Sequence, residues 1–327
     1  VPKGAIFGQV VSGKFLYDKL ELTLGIRYDE KYIKYKGIDS PYTEKYGLEY
    51  PFYPEEKRVF RRTSPRAGLV VFIMNGLNLK FMAGRAFREP SITELFGANT
   101  FTLASNPREL KPEIINTQEA ALDWFITKNL NFKLNFFNTK FENQIAYSVA
   151  NNNLSTNIYT LHHRGVESEL IYEVKKLSYF MNFSYNQRVN EAVLDNTISQ
   201  NKKALTWAPT NTQNFGVRGE YHDFSGSVSL QRQGPVYRRN SDFGTVDFYT
   251  NFVYVDPYAY PQYRSRVIPE WYNMNLRLSY NVTSNLNIGI FVSNALNRTQ
   301  HLIKNFEFPF DYRRETRRVM LDVSAHF

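Results

Sequence analysis

The 327 residues contain no cysteine, 43% hydrophobic and 16% aromatic side chains, at a mean hydropathy of −0.45. That composition excludes a disulfide framework and thiolate metal sites, and with no run of ~18 apolar residues it excludes a transmembrane helix. The net charge of +9 comes from 40 basic and 31 acidic residues spread along the whole chain, so no basic run marks a nucleic-acid surface.

The same numbers admit a transmembrane β-barrel, because half of every strand faces a polar interior. The 23 Tyr and 26 Phe suit aromatic girdles at the two membrane interfaces. The chain opens Val-Pro-Lys-Gly, without an initiator Met or a signal peptide, and is therefore expected to be part of a longer one.

Alternation with a period of two marks the strands. The first is expected over about Ala5–Tyr17, turning at Asp18-Lys19. The second runs Leu20–Lys36, with Leu22, Leu24, Ile26 and Tyr28 on one face. The stretch Gly37–Arg61 is polar, aromatic and broken by Pro41, Pro51 and Pro54. A third strand, about Arg62–Ile73, turns at the hairpin dipeptide Asn75-Gly76 into a fourth, Asn78–Arg88. A long segment, Glu89–Pro112, follows, in which Ser91-Ile92-Thr93-Glu94 reads as a capping box for one helical turn. The fifth strand, Glu113–Thr127, places Ala120, Leu122, Trp124 and Ile126 together. The sixth begins after Lys128-Asn129 and leads to an Asn-rich loop near Asn151–Asn157. The seventh (about Leu161–Val174) and eighth (about Leu177–Asn190) meet at Lys175-Lys176, before a loop over Glu191–Pro209. The ninth, Thr210–Tyr221, and tenth, Gly226–Arg238, pair across His222–Ser225. A longer loop, Arg239–Pro269, is dense in aromatics. The eleventh and twelfth strands flank Thr283-Ser284. A last loop, Arg298–Arg314, precedes the closing strand, Arg317–Phe327, whose Val319, Leu321, Val323, Ala325 and Phe327 share a face.

Connections thus alternate, short then long. Strands of ten residues or more suffice to cross a bilayer at ~45° tilt, which needs ~9–11. Both features belong to outer-membrane barrels, with tight periplasmic turns and long extracellular loops. The C-terminus then lies on the periplasmic side. About thirteen strands is an odd number, whereas bacterial single-chain barrels close with even counts. The stretch is expected to be the C-terminal portion of a larger barrel.

Several segments carry a resemblance. Gly84–Ser91 (G-R-A-F-R-E-P-S) with Glu94-Leu95-Phe96-Gly97 resembles the "FRAPS…ELY" segment of TonB-dependent outer-membrane receptors. Asn106–Glu113 resembles their "NPNLKPE" stretch. Thr117-Gln118-Glu119 is similar to the "E-x-G" element that follows, with Ala121 where glycine is usual. Gly165-Val166-Glu167 matches "GxE", Asn294–Asn297 resembles "NLFN", and Phe327 fits the terminal aromatic read by the barrel-assembly machinery. The resemblance spans roughly Leu20 to Phe327. It implies a 22-stranded barrel with a plug in its lumen, of which residues 1–327 form the N-terminally truncated barrel domain. Neither the plug, the TonB box nor the early strands occur in this stretch.

Alternation turns Ala120 and Val166 outward, hence Glu119 and Glu167 inward. The resemblance suggests that such wall glutamates pair with plug arginines; the plain alternative is two wetted carboxylates. The loops are the expected ligand mouth. Asp247–Arg266 offers Phe252, Tyr254, Tyr258, Tyr260 and Arg264 among its aromatics and arginines, with Arg238 and Arg239 before it and Tyr42, Tyr46 and Tyr50 in the first long loop. Aromatic faces beside Arg forks suit flat or anionic chelates, although loop aromatics also pack on one another. His162 and His163, adjacent in a strand, point opposite ways and do not chelate one ion together.

What the resemblance implies is active import of a scarce ligand, a ferric siderophore first, through TonB with ExbB and ExbD. A ferric chelate would be cargo, and no resident cofactor or metal is expected. Haem or cobalamin uptake within the same family, or a passive porin-like or structural barrel, are the alternatives. No G-x-S-x-G, H-E-x-x-H or phosphate-cradling glycine loop occurs, so no enzyme is expected. The setting would be a Gram-negative outer membrane, with lipid and lipopolysaccharide as neighbours and a monomeric state.

Overall fold

The computed structural model describes residues 3–35, 56–96, 110–148, 154–193, 203–237, 267–302 and 311–325. In chain order these form β1 (Lys3–Val11), β2 (Leu20–Tyr35), β3 (Glu56–Met74), β4 (Leu77–Arg88), α1 (Ile92–Phe96), β5 (Glu113–Phe125), β6 (Leu130–Ser148), β7 (Leu154–Val174) and β8 (Leu177–Val193). They continue with β9 (Asn211–Tyr221), β10 (Phe224–Gln233), β11 (Val236–Tyr237), β12 (Val267–Ile268), β13 (Trp271–Asn281), β14 (Leu286–Ser293), β15 (His301–Leu302), β16 (Tyr312–Arg313) and β17 (Arg318–Ala325). A 13-stranded sheet takes the long strands in sequence order from β1 to β17, leaving β11–β12 and β15–β16 as separate two-stranded ribbons. Every pairing in the large sheet is antiparallel.

Two neighbouring register rows show how the sequence builds this wall. Leu77, Trp124, Phe132, Leu170, Met181, Phe215, Leu230 and Met274 stand opposite one another across eight strands. One residue along, Asn78, Asp123, Lys133, Glu169, Asn182, Asn214, Gln231 and Asn273 do the same on the other face. One face is apolar and the other polar because side chains alternate across a pleated strand. Among the described residues no second layer covers the apolar face, and Leu24, Phe136, Leu278 and Leu321 are 49%, 53%, 52% and 72% exposed. In water each bare Leu or Phe would forgo about 1.5–3 kcal/mol of burial. Hydrocarbon is the solvent this face fits. Near the tight turns the same face carries aromatics, with Tyr172 stacked on Tyr179 and Phe224 tilted against Tyr280 at centroid separations of 6.1 and 4.6 Å.

The tight connections 75–76, 126–129, 175–176, 222–223 and 282–285 gather at one rim (the turn rim), with the C-terminal end of β17. Gly76 has φ +81°, and a Cβ there would meet the Phe125 carbonyl oxygen at 2.8 Å, so the Asn75-Gly76 turn needs its glycine. The first strand is shorter than the alternation suggested. It ends at Val11, because Leu16, Tyr17 and Asp18 adopt φ of 50°, 58° and 58° and fold 12–19 into a closed turn on Leu20. Pro65 lies inside β3, opposite Ile26. The β3–β4 ladder begins only at Arg66↔Gly84, and beyond Pro65, which has no N–H to give, β3 continues paired to β2 alone.

β1 and β17 are the free edges of the sheet, and both run toward the turn rim, so they could meet each other only in parallel. Among the described residues a conventional core appears at the opposite, loop rim, where Ile33 and Phe60 pack with Leu95 of α1 and with Leu110.

Leu321 faces Ile290 across β14 and tests the two-solvent wall. Leu321→Arg should cost ~2–4 kcal/mol of folding into a bilayer, and Met320→Arg, on the polar face, less than about 0.5 kcal/mol. Equilibrium unfolding from lipid vesicles measures both, and equal costs would mean that the two faces meet one solvent.

Candidate functional site

The polar face is where the chain can do chemistry. Lys133 Nζ donates to Glu169 Oε1 at 2.8 Å, and Lys80 pairs with Asp123. These ion pairs cross adjacent strands and lie within a belt of Asn, Gln, Ser and Thr. Glu119 and Glu167 lie on this face, toward the loop rim from the belt, as the alternation requires. Asn135 sits between them: its Nδ2 donates to Glu119 Oε2 at 3.1 Å, and it stands in register with Glu167. Neither glutamate has a cationic partner among the described residues. A recess of about 440 Å³ opens here, lined by Asp123, Asn135, Glu167, Glu169, Asn182 and Thr212. The side-chain oxygens of Asn131, Asn135 and Asn273, all on this face, are buried without a hydrogen-bond partner. The wall therefore offers acceptors that its own side chains do not use.

At the loop rim, the segment around α1 is knotted to the strand ends. Ser91 Oγ accepts from the Glu94 amide at 3.2 Å while Glu94 Oε2 accepts from the Ser91 amide at 2.7 Å, the two reciprocal bonds of a capping box. Arg88 forks onto Glu94 through two 3.0 Å bonds and onto Glu113 through its Nε. Glu113 in turn accepts from the buried Ile145 amide at 2.8 Å. Burial raises the Glu94 carboxyl pKa, but the bonds from Arg88 and Ser91 outweigh it and hold the group below its ordinary value.

The asparagine-rich run predicts loop through Asn157, yet β7 begins at Leu154 and Asn157 acts as a latch. Its Oδ1 accepts from the Lys111 amide at 2.7 Å, and its Nδ2 donates to the carbonyls of Lys111 and Asn143 at 2.8 and 2.6 Å. Asn294, φ 47° and buried, does similar work. Its Nδ2 donates to Arg298 O and Glu315 O at 2.9 and 3.3 Å, while Asn297 Oδ1 accepts from the Arg317 amide at 3.1 Å. The buried Arg188–Glu191 pair had no sequence signal, because β8 was expected to stop at Asn190. His162 and His163 do point apart: His162 bonds Asn138 on the apolar face, and His163 lies edge-on to Phe137 on the polar face.

The loop candidates Tyr42, Tyr46, Tyr50, Arg238, Arg239, Phe252, Tyr254, Tyr258, Tyr260 and Arg264 lie outside the described residues. Their flanks are described. The first group lies between the loop-rim ends of β2 and β3, and the second between the paired ribbon strands β11 and β12.

The family described as TonB dependent receptor-like, beta-barrel matches residues 4–295. The chain belongs to this family. The fold agrees with solved TonB-dependent receptors and related transporters. The ferric-catecholate import receptor Fiu of Escherichia coli K12 superposes with a TM-score of 0.71 at 15% identity, over 99% of this chain and 44% of that one. The ferric yersiniabactin uptake receptor FyuA of Yersinia pestis gives 0.70 at 11% identity, over 99% and 45%. The copper transporter OprC gives 0.69 at 16% identity, over 99% and 48%. The chain thus spans less than half the length of these structures. No curated protein matches it in sequence. Glu119 and Glu167 share the polar face of the sheet that this family model matches.

The sign of the Glu94 shift fixes a pH dependence. A carboxyl held below its ordinary 4.5 contributes stability above that value and loses it as pH falls through the lower folded value. The rim knot should therefore hold at neutral pH and loosen below about pH 4.5. Glu94→Gln should weaken it by about 1 kcal/mol at neutral pH and remove the part of the acid dependence that Glu94 contributes. Hydrogen exchange at the Ser91 and Leu95 amides is the readout.

Proposed function

We propose that residues 1–327 are the barrel domain of an outer-membrane receptor that binds and actively imports a scarce ligand, a ferric siderophore first among the classes. The observation that carries this reading is a polar wall in a chain of the TonB-dependent receptor family whose glutamates, Glu119 and Glu167, have no cationic partner among the described residues. Such carboxylates suit contact with arginines of a plug lying in the lumen, where a charge-assisted bond holds the plug yet stays breakable. The TonB–ExbB–ExbD complex would act on that plug. Two like-directed sheet edges support a barrel with further strands between β1 and β17, and an exposed β17 edge suits recognition by the barrel-assembly machinery. The long connections would face outside the cell, with the aromatics and arginines of 238–266 and Tyr42, Tyr46 and Tyr50 as the ligand mouth. Fiu and FyuA are described as receptors for ferric chelates, which puts iron ahead of other cargo. A monomer in a lipopolysaccharide-containing membrane completes the picture.

A strain lacking the gene should lose growth on one ferric siderophore of a panel under iron limitation, and regain it from the cloned gene only when TonB is present. Growth that survives loss of TonB would indicate a passive barrel. A shared defect on copper limitation would move the cargo away from iron. Independently, Glu119→Gln with Glu167→Gln in the full-length protein should cut uptake several-fold and expose the plug to protease. Unchanged uptake with unchanged protection would leave the two glutamates as wetted wall residues.

A further inference from the structure

The charges of the polar face are sorted by strand. Lys3 and Lys31 stand opposite each other on β1 and β2, and Ala5, Asp29 and Arg62 share the next row on that face. Phe7, Arg27 and Ser64 follow, then Gln9, Gly25, Arg66, Gly84 and Thr117. At ~3.3 Å per residue these rows descend about 20 Å from the loop rim along the wall. They hold five cations, Lys3, Arg27, Lys31, Arg62 and Arg66, and one carboxylate, Asp29. That carboxylate is already taken: Asp29 is 1% exposed and accepts from Arg27 Nε and Nη2 at 2.8 and 2.6 Å. Glu21 lies two rows nearer the turn rim, and Glu89 acts on Arg27 only from a distance.

Lys3, Lys31, Arg62 and Arg66 make no ion pair among the described residues. Arg62 donates from Nη1 to the Arg61 carbonyl at 2.8 Å, and its Nε is buried without a partner. Arg66 lies across Gly25, where a Cβ would come within 2.7 Å of its Nε, and donates to the neutral Gln9 side chain. A recess of about 480 Å³ opens beside it, lined by Gln9, Thr23, Arg66, Met82, Thr117 and Glu119. Glu119 marks the border of the basic strip. Beyond it β5–β7 carry Asp123, Glu167 and Glu169 on the same face, with Lys80 and Lys133 each already paired. Like charges along one strip repel, and an anion that touches several of them at once relieves the repulsion. Walls lined by Arg and Lys select anions, and guanidinium forks fit ionised oxygens. Four unpaired cations over that length suit a multiply charged anion better than a single carboxylate.

We infer that the polar face of β1–β3 is the lane along which cargo passes, and that the cargo is a polyanionic chelate whose metal-binding oxygens stay ionised, rather than an uncharged one. Lys3 and Lys31 meet it near the loop rim, and Arg62 and Arg66 further down. The inference rests on the import reading above and narrows its ligand by charge.

The full-length receptor in mild detergent at low salt is titrated with the trianionic ferric complex of a synthetic tris-catecholamide and with the uncharged ferric complex of a synthetic tris-hydroxamate, reading quenching of its intrinsic fluorescence. The trianion should bind about tenfold more tightly, and the difference should shrink as salt is raised. Arg62→Gln and Arg66→Gln should each weaken the trianion about threefold and together about tenfold, leaving the uncharged complex unchanged. Arg277→Gln, which removes a pair with Asp322 at the other end of the sheet, should bind both like the wild type. If the double variant fails to fold, Arg62→Gln decides alone, because it gives up only a bond to a backbone carbonyl. Equal binding of the two complexes, or variants that hold the trianion like the wild type, would overturn the proposal. So would variants that expose a plug to protease at full affinity, since the strip would then be holding plug carboxylates. Failure of the import reading would look different: the purified protein would keep its charge preference while the deletion strain kept its growth on every ferric chelate.

Discussion

The fold depends on a single constraint: each strand must present hydrocarbon to one side and water to the other while every backbone N–H and C=O finds a partner in the sheet. In lipid an unpaired backbone group costs several kcal/mol, so the ladder has to continue from strand to strand. The two neighbouring register rows, Leu77 to Met274 and Asn78 to Asn273, show the constraint met residue by residue. A slip of one position would carry Asp123, Lys133 and Glu169 into the bilayer together. Register is therefore set by the two solvents rather than by a packed core, and the described sheet has none along its length.

Ordinary protein physics resumes where the strands leave the membrane level. At the loop rim water is present on both sides, and apolar residues must again cover one another, as Ile33, Phe60, Leu95 and Leu110 do. There the chain also uses its strongest directional contacts: the Arg88 fork onto Glu94 and Glu113, the Asn157 latch and the Asn294 stitch. Each of these sits at the base of a long connection. Anchoring a base removes freedom from the ends of a loop while leaving its middle to vary. The motifs around Arg88, Asn157 and Asn294 are thus explained locally by what they tie down.

Much of the wall was legible in the sequence because a period of two over ten residues has few other causes. Boundaries were less so. Residues 12–17 continue the apolar pattern of β1, but left-handed backbone at Leu16, Tyr17 and Asp18 stops the strand, and no glycine marks those positions. Leu154–Asn157 follows three asparagines and falls in the expected loop, yet it pairs as strand with Ile145–Ser148, and the Asn157 side chain reaches Lys111, 46 residues away. Such contacts leave no local trace. The inward placement of Glu119 and Glu167 follows from alternation alone.

The polar face divides its charges into two kinds. Lys133–Glu169 and Lys80–Asp123 are satisfied across neighbouring strands and brace the wall. Among the described residues Glu119 and Glu167 have no cationic partner, and the buried side-chain oxygens of Asn131, Asn135 and Asn273 have no donor. In a dry interior such groups would be costly, and an ion pair made there would be hard to break without leaving a stranded charge. Where water reaches, a new pair is worth about 1 kcal/mol or less, and water replaces it when it parts. Several contacts of that weak kind are made and broken more readily than one buried bridge. The Arg88 fork at the rim, with Glu94 and Glu113 largely shielded, is built for the opposite purpose of staying closed.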